Sequence, residues 1–451
     1  MSALVTKVTK ATLATLVTSA PEWLAKLLDG GRALPQSAAS WLNARRAHAL
    51  ERANALSVPT TRDEEWRFTD LSPLKKFSLQ TPAASAAVTL GQIAPFNVPE
   101  AVTRLVFVDG QYAPALSCGI GASASVCALA EGLKSHGGML EQHLAQHADV
   151  EQQVFAALNT AWLRDGALIV LSRNTQLAQP VHVLFVATQA NAVACPRVLV
   201  VAESGAQCTL IEDYVALTDG AYFTNAVTEI VVATGARVRH VRLQRESKQA
   251  FHVAACVASV AKDAAYHSQS ITLGARLSRM NLNVRQQGEG AEISIDGLAL
   301  IDGEQLADTH SSLDHAFPNG RCTQMHKTIV GGAAHAVFNG KVLVREGAQL
   351  TNSAQQSRNL LLSPRARVDT KPQLEIFADD VKCAHGATVG QLDAEHLFYL
   401  KSRGIAETQA RNLLTYAFGA EIILRIPVPS LVKQLQHAVL AQTGLNEAGV
   451  K

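Results

Sequence analysis

At 451 residues the chain is long enough for two or three domains around a sizeable buried core. Hydrophobic residues make up 48% and charged residues 17%, a globular composition and not a disordered one. The formal net charge of +2, with no basic cluster interleaved with aromatics, argues against a general polyanion binder. No apolar run approaches the roughly 18 residues needed to cross a bilayer. The opening MSALVTKVTKATLATLV has no small-residue cleavage site after a compact apolar block, so a soluble, cytoplasmic chain is expected.

Residues 1–164 read as an N-terminal helical region with a linker and a hairpin. APEWLAKLLDGG is expected to close on its Gly pair, and SAASWLNARRAHALERANAL to start at a Ser cap and end before Pro59. Pro73 to Pro99 reads as a linker or extended arm. RLVFVDGQYAP predicts a hairpin turning on Asp109-Gly110, and a helix follows around Asp149 to Leu163.

Residues 165–391 form a β core of short runs such as GALIVLS, VHVLFVA, RVLVVAE, EISIDGLALI and QLEIFA. In RMNLNVR, Met280, Leu282 and Val284 face one way while Arg279, Asn281, Asn283 and Arg285 face the other. Glycines at 205, 235, 274, 290 and 347 punctuate the runs, and all four tryptophans lie at or before position 162. A sandwich, a barrel and a β-solenoid all fit; a narrow core with Gly-small corners suits the solenoid, although the irregular glycine spacing gives no strict repeat. Residues 392–451 return to helix: DAEHLFYLKSRG with an Asp cap and a Gly stop, IAETQARNLLTYAFG with Leu413, Leu414, Ala417 and Phe418 on one side and an end at Gly419, then LVKQLQHAVLAQTG.

Familiar catalytic machinery is missing. There is no phosphate loop, no dinucleotide fingerprint after a strand and no Gly-x-Ser-x-Gly elbow. The seven cysteines are scattered without a Cys-x-x-Cys, as small buried hydrophobes usually are. His310, His315, His326 and His335 with Cys322 would build a metal site only if stacked in register; hydrogen-bonded strand and turn histidines are the simpler reading. Cys383 and His385 are two apart and share a face on a strand, close enough to hold one metal or acidify one thiol. Two ligands are too few for a closed iron or zinc site, so a functional pair needs the remainder from another chain. In TRDEEWRFTDLSPL no chemistry requires the spacing: Trp66 and Phe68 read as anchors of the helical arm, with Asp63, Glu64, Arg67 and Asp70 solvated.

Three segments carry a family resemblance: DEEWRFTDLSPL, AFPNGRCTQMHKTIVGGAAHAVFNGKVLV and DTKPQLEIFADDVKCAHGATVGQLDAEHLFYLKSRGI. They closely resemble the SufB/SufD family of iron–sulfur assembly proteins, and the likeness runs from about residue 60 to 440. The chain is similar to the shorter subunit of that family, with its helical arm, and lacks the Cys-rich mid-chain stretch expected of the scaffold SufB. The resemblance implies a mainly β fold with flanking helices, its core a right-handed parallel β-helix. It also implies a cytoplasmic SUF complex with SufB and two copies of the ATPase SufC. In that complex SufC would dock on the C-terminal helical domain, assigned to Phe398, Tyr399, Leu413, Leu414 and Phe418, and ATP-driven movement of the tails would shift the SufB interface. The last coils would pair with SufB, and the family's interfacial His falls on His385 with Cys383 beside it. The implied subunit is not itself an enzyme. Its cofactor is a transient iron–sulfur cluster shared with SufB; a reduced flavin belongs, if anywhere, to the complex, and none is expected on this chain alone. Nucleic acid and membrane are not expected partners.

Two other readings remain open at this stage. One is a structural homodimer, since an open solenoid end invites strand pairing. The other is a carbohydrate-active β-helix enzyme, which needs paired acids or a Lys/Arg base on one face, and no convincing set is present.

Overall fold

The structure is a computed structural model describing residues 22–80, 87–119 and 125–443. The MSALVTK opening, residues 81–86 of the Pro-bearing stretch and the last residues of the chain lie outside the described residues.

Two facing sheets wind together as a parallel β-solenoid, each coil giving one strand to each sheet. The first sheet stacks Thr103–Val108, Val181–Ala187, Gln207–Ala216, Arg237–Arg245, Ala265–Thr272, Glu292–Ile301, Arg321–Val330, Asn352–Leu361 and Lys382–Gly390. The second stacks Ala167–Leu171, Arg197–Ala202, Phe223–Val232, Phe251–Val260, Leu277–Gln286, Leu306–His315, His335–Val344 and Arg367–Ile376. The RMNLNVR parity holds: Met280, Leu282 and Val284 join Val183, Leu210 and Ile230 in the interior. The hairpin on Asp109-Gly110 is present, with both residues left-handed, and its first strand already lies parallel to Val181–Ala187.

The repeat hidden from the sequence is a drifting one. Phe251 sits beside Leu277, Leu277 beside Leu306, Leu306 beside His335 and His335 beside Arg367, offsets of 26 to 32 residues. The drift comes from the corners, not the strands. At one corner of successive coils Gly205, Gly235, Asp263, Gly290, Asn319 and Leu350 take φ between 52° and 72°. Each donates its N–H to the next coil, to Thr234, Lys262, Glu289, Pro318, Gln349 and Asp380 oxygens at 2.7–3.2 Å. Glycine is free to adopt this conformation, and Asn or Asp tolerates it, so only some of the corners show a glycine. Gly274 serves differently: its missing Cβ admits the Glu246 backbone.

The N-terminal end is closed. Gln111–Tyr112 and Ser125–Ala128 finish the two sheets as antiparallel strands. Glu22–Arg32, Ser40–Ala55 and Val154–Ala161 seal the outer face, placing Trp23, Leu27, Phe155 and Leu158 against Phe223, Phe251 and Leu277. The first helix runs through Gly30-Gly31 instead of stopping there, because the Trp162 ring occupies the space a side chain at Gly30 would need. The second has Ala39 at its N-cap with no side-chain cap bond. The Pro-bearing stretch is not simply extended: it contains the short helices Ser72–Lys75 and Leu90–Ile93, the latter with a Thr89–Gln92 capping box.

The C-terminal helices Ala394–Ser402, Glu407–Ile423 and Pro429–Thr443 return along the first sheet. Asp393 caps the first through the Glu395 and His396 N–H groups, and Gly404 stops it with φ 85°. The second runs past Gly419 to Ile423, since Gly419 packs against Leu298 and Ile329 rather than ending the helix. Its buried residues include Ala410, Thr415, Gly419 and Ile422; Leu413, Leu414 and Phe418 are half-buried and Ala417 is exposed. Ile422, Ile426, Leu431, Leu435 and Val439 cover the outward Ile211, Val241, Leu243 and Ile271.

Candidate functional site at the open end of the solenoid

The two last strands each have one neighbour among the described residues. Arg367–Ile376 pairs only with His335–Val344, and Lys382–Gly390 only with Asn352–Leu361. Their free edges present unpaired backbone groups, the feature that natural sheets usually cover or blunt. The last strand is almost wholly exposed, while its neighbour buries alternate residues. Phe377 at 65% exposure, Val389 at 47% and Ile376 at 40% leave large apolar side chains at this end.

Cys383 and His385 both lie on the last strand. Cys383 is half-buried beside Val342, Val344 and Ala348. In register it lies next to Ser353, which lies next to Cys322, so the three form one interior column. Burial pushes the Cys383 thiol up, with the Ser353 backbone pulling it partly back. His385 is exposed and stands in the neighbouring column beside Gln355 and Gln324. The fold therefore brings the pair together on one face.

It does not bring the other histidines together. His310 and His335 face outward, on Asp308 and Glu65 and on Asp369 respectively. His315 and His326 are buried, and burial lowers them to about 4 and about 3. Cys322 is buried and its thiol is pushed up to about 12. Among the described residues no group of three or more His, Cys, Asp or Glu side chains is placed to hold a metal ion. Cys383 and His385 are at most half of a site.

The interior changes character toward this end. Early coils are filled by Leu105, Phe107, Val181, Val183, Val198 and Val200. A fully buried charged group follows: Glu212 bonds His240 at 3.0 Å and Thr228 at 2.9 Å, and His252 bonds Glu246 at 2.6 Å and Arg242. Burial opposes charge on His240, yet the Cys256 sulfur and the Glu212 carboxylate raise it to about 9; Glu212, also opposed by burial, is held at about 2 by His240 and Arg242. In the last coils the interior carries Gln324, Ser353, Gln355, Ser357 and Asn359, all buried. The sequence carries no local signal for these last five: Ser353 and Gln355 lie one coil before Cys383 and His385 and Gln324 two coils before, so only the coil register brings them into line.

A sizeable groove lies elsewhere. About 500 Å³ opens between the Ser57–Trp66 segment and the second sheet, lined by Glu65, Trp66, Arg279, His310, Asn339 and Lys341. It marks the seam where TRDEEWRFTDLSPL is strapped down. Arg279 lies 3.8 Å from the Trp66 ring, donates to the Glu65 carbonyl at 2.8 Å and pairs with Asp308 at 2.6 Å. Thr69 bonds the same Asp308, and Glu64 reaches Lys371 on the last strand of the second sheet at 2.6 Å. Trp66 and Phe68 are anchors, as expected; Glu64 is exposed, as expected, but also paired with Lys371, and Glu65 pairs with His310.

The residues assigned to ATPase docking divide. Phe398 and Tyr399 are 73% and 56% exposed on the first tail helix, where no residue is buried. Phe418 is held down: Lys327 Nζ donates to its carbonyl at 2.9 Å, lies 4.5 Å from its ring and pairs with Glu421 at 2.5 Å. Leu414 and Phe418 line a recess with Val389 and His396, where the tail meets the last strand. Leu413 stays half-buried outside that recess's lining.

Comparison with known proteins points to one family. The SufBD core domain of the SUF iron–sulfur cluster assembly system matches residues 185–418, and the SufBD N-terminal region matches residues 20–183. An iron–sulfur cluster assembly SufBD family protein of Synechocystis is 41% identical over 412 residues, covering 88% of this chain and 90% of the relative. The iron–sulfur cluster assembly protein SufD of Escherichia coli is 34% identical over 405 residues, with 88% and 90% covered. SufD of Bacillus subtilis is 26% identical over 413 residues, with 89% and 93% covered. With both family regions matched in order and SufD relatives aligned over nearly their whole length, the chain belongs to the SufBD family of SUF-system iron–sulfur cluster assembly proteins.

Proposed function

We propose that this chain is the non-catalytic SufD-type subunit of a cytoplasmic SUF complex, and that its open solenoid end pairs with SufB to form a shared cluster-assembly site. The observation that carries this is the uncovered last strand, which holds Cys383 and His385 on one face with no third ligand among the described residues. A partner strand at that edge supplies both the backbone pairing and the remaining ligands. The iron–sulfur cluster is cargo, held in passing. Imidazole and thiolate are suitable donors for it, with His385 as ligand or orienting group and Cys383 in a supporting place. In the isolated chain the same edge suits a second copy, which makes a homodimer the alternative state of the unpartnered protein.

ATP hydrolysis is assigned to SufC, docked on the C-terminal helices. Phe398 and Tyr399 are the exposed contacts, while Lys327–Phe418, Lys327–Glu421 and Arg425–Asp296 tie the tail to the coils just below the open end. A pull on the tail therefore reaches the strands that support Cys383 and His385. The test is cluster formation by the co-purified complex carrying His385→Ala. A loss of cluster with the complex intact supports the reading, and a normal rate overturns the role of His385. Failure of the wild-type chain to retain any ATPase or larger β-helix protein from its own cells overturns the complex itself.

A further inference from the structure

We propose that Gln355 is a positioning residue for His385: its side-chain oxygen accepts the Nδ1–H of the imidazole, so that Nε2 is the nitrogen presented at the open end. The inference rests on the reading of the open end as a ligand-bearing site. Its geometry stands on three observations. First, Gln355 and His385 are register partners on adjacent parallel strands, so their side chains leave the sheet on the same side. Second, the Gln355 amide has its nitrogen committed: Nε2 donates to Gln324 Oε1 at 2.9 Å in the coil below, and the same oxygen accepts from Ser311 at 3.2 Å. An amide directs its oxygen away from its nitrogen, which leaves Gln355 Oε1 on the His385 side. That oxygen is buried and has no partner. Third, the neighbouring sheet makes room for this amide. Gly340 sits within the His335–Val344 strand, where glycine is unfavourable, and a Cβ there would overlap Gln355 Nε2.

A buried acceptor left unmade carries the full cost of losing its water, and a ligating histidine ordinarily donates its second ring N–H to an oxygen acceptor. The orphaned oxygen and the imidazole in the next coil satisfy both requirements when the ring turns inward. Ser353, whose hydroxyl is also buried without a partner, stands in the same relation to Cys383. The penultimate coil thus forms a supporting layer beneath the two terminal side chains.

The test reads the tautomer of His385 by 15N NMR of the full-length, histidine-labelled chain in alkaline buffer. The wild type is expected to show mainly the Nδ1–H form, Gln355→Leu to shift toward Nε2–H, and Gln355→Glu, which keeps an oxygen acceptor, to restore the wild-type signal. Gly340→Ala, which displaces the amide without altering it, is expected to move the signal the same way as Gln355→Leu and serves if that variant does not fold. An unchanged tautomer in Gln355→Leu and Gly340→Ala overturns the proposal. In the assembled complex Gln355→Leu should slow cluster formation on the order of tenfold. The tautomer result stands apart from cluster formation: loss of the His385→Ala phenotype would remove the ligand role while leaving the Gln355–His385 bond measurable.

Discussion

The two ends of the solenoid are built from the same strands and finished in opposite ways. At the N-terminal end both sheets close on antiparallel strands, and three helices lay apolar faces over the outer surface. A buried clamp holds that cover: Glu229 pairs with Arg197 at 2.7 Å and accepts N–H groups of Ala145, His147 and Ala148, while Arg197 reaches Asn159 at 2.9 Å. At the C-terminal end the last strands have free edges and the interior turns polar. A closed end contributes stability within the chain. An open end with orphaned buried oxygens leaves stability to be gained from whatever pairs with it.

Breaking the clamp should give the largest effect. Glu229→Ala leaves the Arg197 guanidinium buried without its counter-ion and three backbone donors unmet, a loss of about 3–5 kcal/mol in urea unfolding; a change below 1 kcal/mol would mean that the cover does not depend on it. Next is the apolar interior of the closed half. Leu210, 1% exposed, should cost about 2–5 kcal/mol as Leu210→Ala, read from the same unfolding curves.

The interiors of the two halves should also differ in pH dependence. His240 is raised to about 9 from an ordinary 6.5, so its contribution is complete below pH 6.5 and is lost as pH rises through 9. His315 and His326 are lowered to about 4 and about 3, so theirs is present above pH 6.5 and fades as pH falls toward those values. Glu212, lowered from 4.5 to about 2, keeps its contribution above 4.5 and loses it in stronger acid. Thermal midpoints across pH 5 to 10 should show His240→Gln flattening the alkaline fall and His326→Gln flattening the acid one. A His240→Gln profile parallel to the wild type would remove the buried ion pair from the account. The smallest effect belongs to the open end, where Val389→Ser in the isolated chain should change unfolding by less than about 0.5 kcal/mol. A larger loss there would indicate that the isolated chain already covers this face with a second copy.

Legibility followed the same division. Strands with apolar residues on one face could be read by parity, as RMNLNVR was. Arg237–Arg245, sequence RVRHVRLQR, could not. Val238, His240, Arg242 and Gln244 point into the solenoid, while Val241 and Leu243 point out and are covered by the tail helices. With a polar inside and an apolar outside, alternation loses its usual meaning. The Cys383–His385 pair was visible because both members sit on one strand. Gln355 and Gln324 were not, because their nearness to it depends on the register of coils whose corners vary in length. Gly30 and Gly419 read as helix ends for a related reason: glycine marks a stop or a close approach, and only the packed neighbour tells which.

By itself the sequence determined the local features. Strand parity, the Asp393 cap, the Asp109-Gly110 turn and the family motifs all depend on residues within a few positions of one another. Only the tertiary structure decided which end is closed, which strand edges are free and which polar side chains share a column. Those neighbours lie roughly a coil apart in sequence, and the parallel pairing of successive coils is what brings them into contact.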